Sequence, residues 1–171
     1  MRSTLWRIIG RFLLLMAIQL LVLNYVYMGG YVMPMLYVLF ILMLPTSTGR
    51  IPMLLIAFGT GLLVDIMSNM LGFNALACTV VAMCRILFAD RMLTRNEPVT
   101  IVLPSVYSVS PQHFVGYLLL LYTIFYSVFY LLELFGFRHL GSMILATICS
   151  TVVSTLLAVL YQVVLIKRED V

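Results

Sequence analysis

Charge is what this chain has least of. Only 9% of its 171 residues are Asp, Glu, Lys or Arg, and there are just two histidines and one tryptophan. A soluble domain carries about a quarter charged residues, and a fold of this size could not cover itself in water with so few. Cysteine is also scarce. Cys78, Cys84 and Cys149 lie in apolar runs, form no C-x-x-C pair and have no histidine close by in sequence. They read as small packing residues, not as a zinc site or a disulfide framework. No P-loop, no H-E-x-x-H, no G-x-S-x-G and no Ser-His-Asp arrangement occurs, so the residues suggest no catalytic group, metal or cofactor. The net charge of +4 is too small to suggest nucleic-acid binding.

What the chain has in abundance is hydrophobic residues, at 64%. The expected class is an all-α integral membrane protein, with 1–171 as a single transmembrane domain. Crossing the hydrocarbon core takes about 20 apolar residues. Six runs are candidates, at about 8–28, 31–45, 52–68, 73–89, 114–135 and 141–166. The second is the weakest, being short and interrupted by Pro34. Gly29-Gly30, Thr46-Ser47-Thr48-Gly49, Gly72 and Gly136 break the runs with turn chemistry. The runs are continuous and do not alternate, which predicts helices and not a barrel. Bulky residues follow the first run where a cleavage site would fall, so it is expected to stay as a span.

Basic residues set the expected orientation. With the N-terminus in the cytoplasm, Arg2, Arg7, Arg11, Arg50, Arg85, Arg91, Arg95, Lys167 and Arg168 fall inside and only Arg138 outside. This is a strong positive-inside bias and predicts both termini inside. The 90–113 loop is then cytoplasmic. It holds Pro98, Pro104 and Pro111 among apolar residues, and is expected to lie against membrane lipid. His113 and His139 fall on opposite sides and cannot share a site.

Polar residues inside spans are where function is sought. Ala57, Gly61, Asp65 and Ser68 fall within an arc of about 80° on the third helix. With Asn69 and Asn74, this small polar face has two readings. It could form a partner contact or a polar pocket. Equally, Asp65 could cap or hydrogen-bond the Gly72-Phe73-Asn74 turn. Thr147, Thr151, Ser154 and Ala158 share a face of the sixth helix, with Ser150 beside them. That stripe reads as helix packing, with a polar transport path as the alternative. Glu133 lies near the outer end of the fifth span, on a face with Tyr122, Tyr126 and Phe129. It is expected, with Arg138, at the headgroups.

The segment G-L-L-V-D-I-M-S-N-M-L-G-F-N-A-L, residues 61–76, resembles the rod shape-determining protein family MreD. The likeness is specific over about 52–85 and extends to the rest of the chain in layout. It implies a six-helix transmembrane bundle similar to the substrate-binding subunits of energy-coupling-factor transporters, in the bacterial inner membrane. It also implies a non-catalytic scaffold of the elongation machinery, organising peptidoglycan synthesis and cell shape. The implied partners are an MreC-type protein and, in a complex, RodA, a class B penicillin-binding protein and MreB. The competing expectation is a small-solute-binding subunit of a transporter, which would need a closed pocket with convergent polar groups.

Overall fold

In the computed structural model of the chain, residues 2–21, 23, 32–45, 48–93, 111–133 and 140–165 are described. They form six helices: α1 (Arg2–Leu21), α2 (Val38–Leu42), α3 (Arg50–Ser68), α4 (Phe73–Leu93), α5 (Pro111–Glu133) and α6 (Leu140–Leu165). Prolines mark two of the starts. Pro52 sits in the first turn of α3 and Pro111 opens α5, where the missing N–H would have had no intrahelical partner. α3 ends on Asn69, which adopts the left-handed conformation at φ 53°. The Met70 N–H then reaches back to the Asp65 carbonyl at 2.9 Å, closing the helix end.

Neighbours in sequence pack on one another: α3 on α4, α4 on α5 and α5 on α6, while α2 touches α1, α3 and α4. The polarity of this bundle is inverted. Buried polar side chains include Gln19, Asp65, Asn74, Arg85, Ser150, Ser154 and Gln162, whereas Leu55, Ile66, Leu156, Leu160 and Val164 are more than half exposed. Water would penalise such a surface, but lipid tails would not. Arg50–Ser68, Gln112–Glu133 and Gly141–Val164 are long and apolar enough to cross a membrane, and Ile8–Leu21 and Phe73–Phe88 are shorter apolar helices. The chain is therefore an all-helical protein with three candidate membrane-spanning helices. The expected span ends at 28, 135 and 166, and most of the expected 90–113 loop, lie outside the described residues. α4 itself continues to Leu93 and α5 begins at Pro111, which narrows that loop at both ends.

The expected second span at 31–45 needs correction. Only Val38–Leu42 in it is helical, and residues 33–36 are not. Pro34 lacks an N–H and disfavours the helical conformation in Met33 before it. Even fully helical, the stretch would reach only about 22 Å, well short of the roughly 30 Å core. The segment is instead surrounded by protein. Every residue from Met35 to Leu44 is buried, with Val38, Leu39, Ile41 and Leu42 wholly inaccessible. It is a plug in the centre of the bundle, not a helix facing lipid.

Candidate functional site

A non-helical segment buried in a membrane protein exposes backbone groups that neither water nor its own turns can satisfy. The polar side chains of the surrounding helices converge on this one. At its N-terminal end, Ser150 Oγ accepts the Met33 N–H at 3.3 Å, and the Tyr126 hydroxyl donates to the Met33 carbonyl at 2.7 Å. The Met35 N–H is shared between Tyr126 Oη at 2.9 Å and Ser154 Oγ at 3.1 Å. Those two hydroxyls lie 2.5 Å apart, and Tyr130 holds Ser150 at 3.0 Å. From α1, Gln19 Nε2 donates to the Pro34 carbonyl at 3.2 Å while its Oε1 accepts the Leu36 N–H at 2.7 Å. Tyr122, Tyr126 and Tyr130 stack along α5 at 6.3 and 5.9 Å between centroids. Their four-residue spacing places one ring per turn on a single face.

At the other end of the plug, α2 runs out of turns before Pro45. The Tyr117 hydroxyl donates to the Leu42 carbonyl at 3.3 Å. Arg85 donates to the Leu44 carbonyl through Nη2, to Tyr117 Oη through Nε at 3.0 Å and to the Met53 sulfur through Nη1 at 3.1 Å. Arg85 is 2% exposed. Among the residues whose side chains are described, no carboxylate faces it. What it meets is the Leu44 carbonyl, two residues past the end of α2, with the Tyr117 hydroxyl and the Met53 sulfur beside it.

Asp65 is the complementary case. Gly72, at φ +88°, precedes α4 and has no side chain with which to cap it. The carboxylate of Asp65 supplies the cap from α3. Its Oδ1 accepts the Asn74 N–H at 3.1 Å and the Asn74 side-chain amide at 3.0 Å, and its Oδ2 accepts the Ala75 N–H at 2.8 Å. Orphan N–H groups and the positive end of the α4 dipole together stabilise the anion. A further bond joins this turn to the plug, as the Tyr37 hydroxyl donates to Asn74 Oδ1 at 2.9 Å.

Gly61 allows that approach. A Cβ there would stand 2.5 Å from Ala75 Cα and 2.6 Å from the Asn74 carbonyl oxygen. Ala57, Gly61 and Asp65 are all buried, and at Gly61 and Asp65 the face packs on the start of α4. Of the readings made from the sequence, a partner contact or polar pocket against a cap of the Gly72-Phe73-Asn74 turn, the contacts at Asp65 and Gly61 are those of the cap. Ser68 and Asn74 line a cavity of about 40 Å³ together with Gln19, Tyr37, Pro34 and Met70. Asn69 is exposed at the turn. On α6, Ser154 reaches the plug, as does Ser150 beside the stripe. Thr147 and Ala158 are buried, and buried Thr151 has a hydroxyl with no hydrogen-bond partner among the described residues. Glu133 is exposed, while Tyr122, Tyr126 and Phe129 of its face are buried.

Comparison with protein-family models, with characterised proteins and with solved structures finds no match for this chain. No group of three or more His, Cys, Asp or Glu side chains stands ready for a metal among the described residues. Sequence reasoning missed Gln19, Tyr37, Tyr117 and Tyr130 as members of the network, and took Arg85 only as a topological cation. Pro34 was the one signal that could have found them, because a proline in a buried apolar run leaves backbone groups for others to satisfy.

Proposed function

We propose that this protein is a non-catalytic membrane scaffold of the MreD type. It would serve the bacterial elongation machinery, binding an MreC-type partner and so organising peptidoglycan synthesis and cell shape. In this reading it sits in the inner membrane with both termini in the cytoplasm, and the plug takes the place of a regular second crossing. RodA, a class B penicillin-binding protein and MreB would join through the same assembly.

The observation that carries the reading over a solute-binding one is the way the interior is filled. Asp65, Asn74, Gln19, Tyr126, Ser154 and Arg85 all hold backbone or one another. The cavity lined by Gln19, Tyr37, Ser68, Met70 and Asn74, about 40 Å³, has room for roughly two or three waters and none for a vitamin-sized ligand. The exterior, by contrast, is a set of apolar helix faces. In lipid, association along such faces rests on close packing, which suits a single-span partner.

The test is detergent co-purification with the MreC protein of the same organism, combined with depletion and microscopy. Co-purification, with loss of elongated shape and retained septation, is the expected result. Normal shape on depletion together with impaired uptake of a vitamin would defeat it in favour of a transporter subunit.

A further inference from the structure

Two buried amides face the same small cavity with hydrogen-bonding capacity left over. On α1, the Gln19 side chain donates to the Pro34 carbonyl and accepts from the Leu36 N–H. At the start of α4, the Asn74 side chain donates to Asp65 and accepts from Tyr37. Both residues line the cavity of about 40 Å³, together with Val64 and Ser68 of α3. A side-chain amide nitrogen carries two hydrogens. Gln19 Nε2 and Asn74 Nδ2 each make one hydrogen bond among the residues whose side chains are described. Yet the two residues are only 4% and 2% exposed. The same wall holds three thioethers, those of Met33, Met35 and Met70, and no charged side chain.

We infer that this cavity is a water-binding site, its water held between Gln19 of α1 and the Asn74 turn. The volume decides the class of ligand, because it admits water and excludes anything much larger. The wall decides that it is wet. A buried water needs about two to four polar partners, and a cavity without them stays dry. Gln19, Tyr37, Ser68 and Asn74 all bring polar atoms to this one. A bound ion would find no charge there to neutralise it, which is costly in a buried site. Water accepts the spare amide hydrogens and so satisfies donors that the protein leaves over. Ser68 is the last residue of α3 and Asn69 after it is exposed. The cavity therefore sits at a helix end, where a membrane-spanning helix meets water, and filling it needs no passage through the apolar interior. The inference stands whether or not the chain has an MreC-type partner.

The methionines on the wall make the site readable. X-ray pulses split water into hydroxyl radicals where it sits, so a buried thioether is oxidised to the sulfoxide when a water is held against it. The experiment irradiates the full chain in phosphatidylcholine nanodiscs and measures the sulfoxide at each methionine by mass spectrometry. Met35 is 7% exposed and lines the cavity, whereas Met16 and Met53, at 5% and 4%, do not line it. Met35 is expected to oxidise severalfold faster than either. Ser68→Leu fills the cavity with apolar volume. It should bring Met35 down to the rate of Met16 and Met53 and leave those two unchanged. Equal rates for all three in the unaltered chain would mean a dry cavity and overturn the site. A Met35 rate that Ser68→Leu does not lower would overturn it too, because the radicals would then come from water elsewhere. Should Ser68→Leu not fold, Val64→Leu fills the same cavity from one turn earlier and is judged by the same two rates.

Discussion

Asp65 and Arg85 are both 2% exposed, and they lie towards opposite ends of the bundle. Neither is paired with an opposite charge among the residues whose side chains are described. Each is answered by backbone groups at or just beyond a helix end. Asp65 meets the N–H end of α4, and Arg85 meets the Leu44 carbonyl two residues beyond α2. The two answers differ in strength. α4 is 21 residues long and offers Asp65 two backbone N–H groups, with the Asn74 amide as a third donor. α2 has five residues and leaves Arg85 one carbonyl, a phenol and a thioether. A buried charge is costly unless its hydrogen-bonding capacity is filled, so Asp65 is the better satisfied. A chain with so few charges can bury them singly, provided each faces backbone groups at or just beyond a helix end.

The sharpest way to break this comparison is to remove each charge in turn. Asp65→Leu leaves the Asn74 and Ala75 N–H groups and the Asn74 amide without an acceptor inside the bundle. At about 1 kcal/mol or more for each orphaned donor, the expected loss is about 3 kcal/mol, with Asp65→Asn recovering part of it. Thermal or denaturant unfolding in nanodiscs measures it. A loss no greater than that of an exposed-site change would show that the turn does not depend on the cap.

Arg85→Leu should cost less, about 1–2 kcal/mol. It orphans one carbonyl, that of Leu44, because Tyr117 still donates to Leu42. It also removes the desolvation cost of a buried cation, which offsets part of the loss. The informative quantity is the order of the two variants under identical conditions. Arg85→Leu proving the more damaging would mean that the Leu44 carbonyl and the Met53 sulfur satisfy the guanidinium better than their geometry suggests.

Much of the α3–α4 hairpin was legible in the sequence. Gly61, Asp65 and the Gly72-Phe73-Asn74 turn are within 14 residues of one another, so local spacing was enough to raise the capping reading beside the partner reading. α3 and α6 as membrane-length helices followed from unbroken apolar runs. The plug did not. A short apolar run reads the same whether lipid or protein surrounds it, and only Pro34 separates the two. The role of the α6 hydroxyls was less accessible still. Ser150 and Ser154 bind Met33 and Met35 across 117 and 119 residues of chain, a separation that no periodicity records. Arg85 fell inside the expected 73–89 span, where a charge is costly towards lipid, but it was read only as one of the basic residues that set orientation.

The neutral end of the plug should behave differently from both charges, because its acceptors are redundant. The Met35 N–H has two, Tyr126 Oη and Ser154 Oγ. Ser154→Ala removes one and leaves the N–H satisfied, so the expected loss is under about 1 kcal/mol. Tyr126→Phe removes the other acceptor and also the donor to the Met33 carbonyl, and should cost somewhat more. Together they leave the N–H with no partner among the described residues. The double variant should therefore exceed the sum of the singles by about 1 kcal/mol, a coupling of the size expected for side chains sharing one partner. A double-mutant cycle on unfolding in nanodiscs measures it directly. Strict additivity would mean that the two hydroxyls do not substitute for each other, and that the plug depends on each neutral partner as singly as Leu44 depends on Arg85.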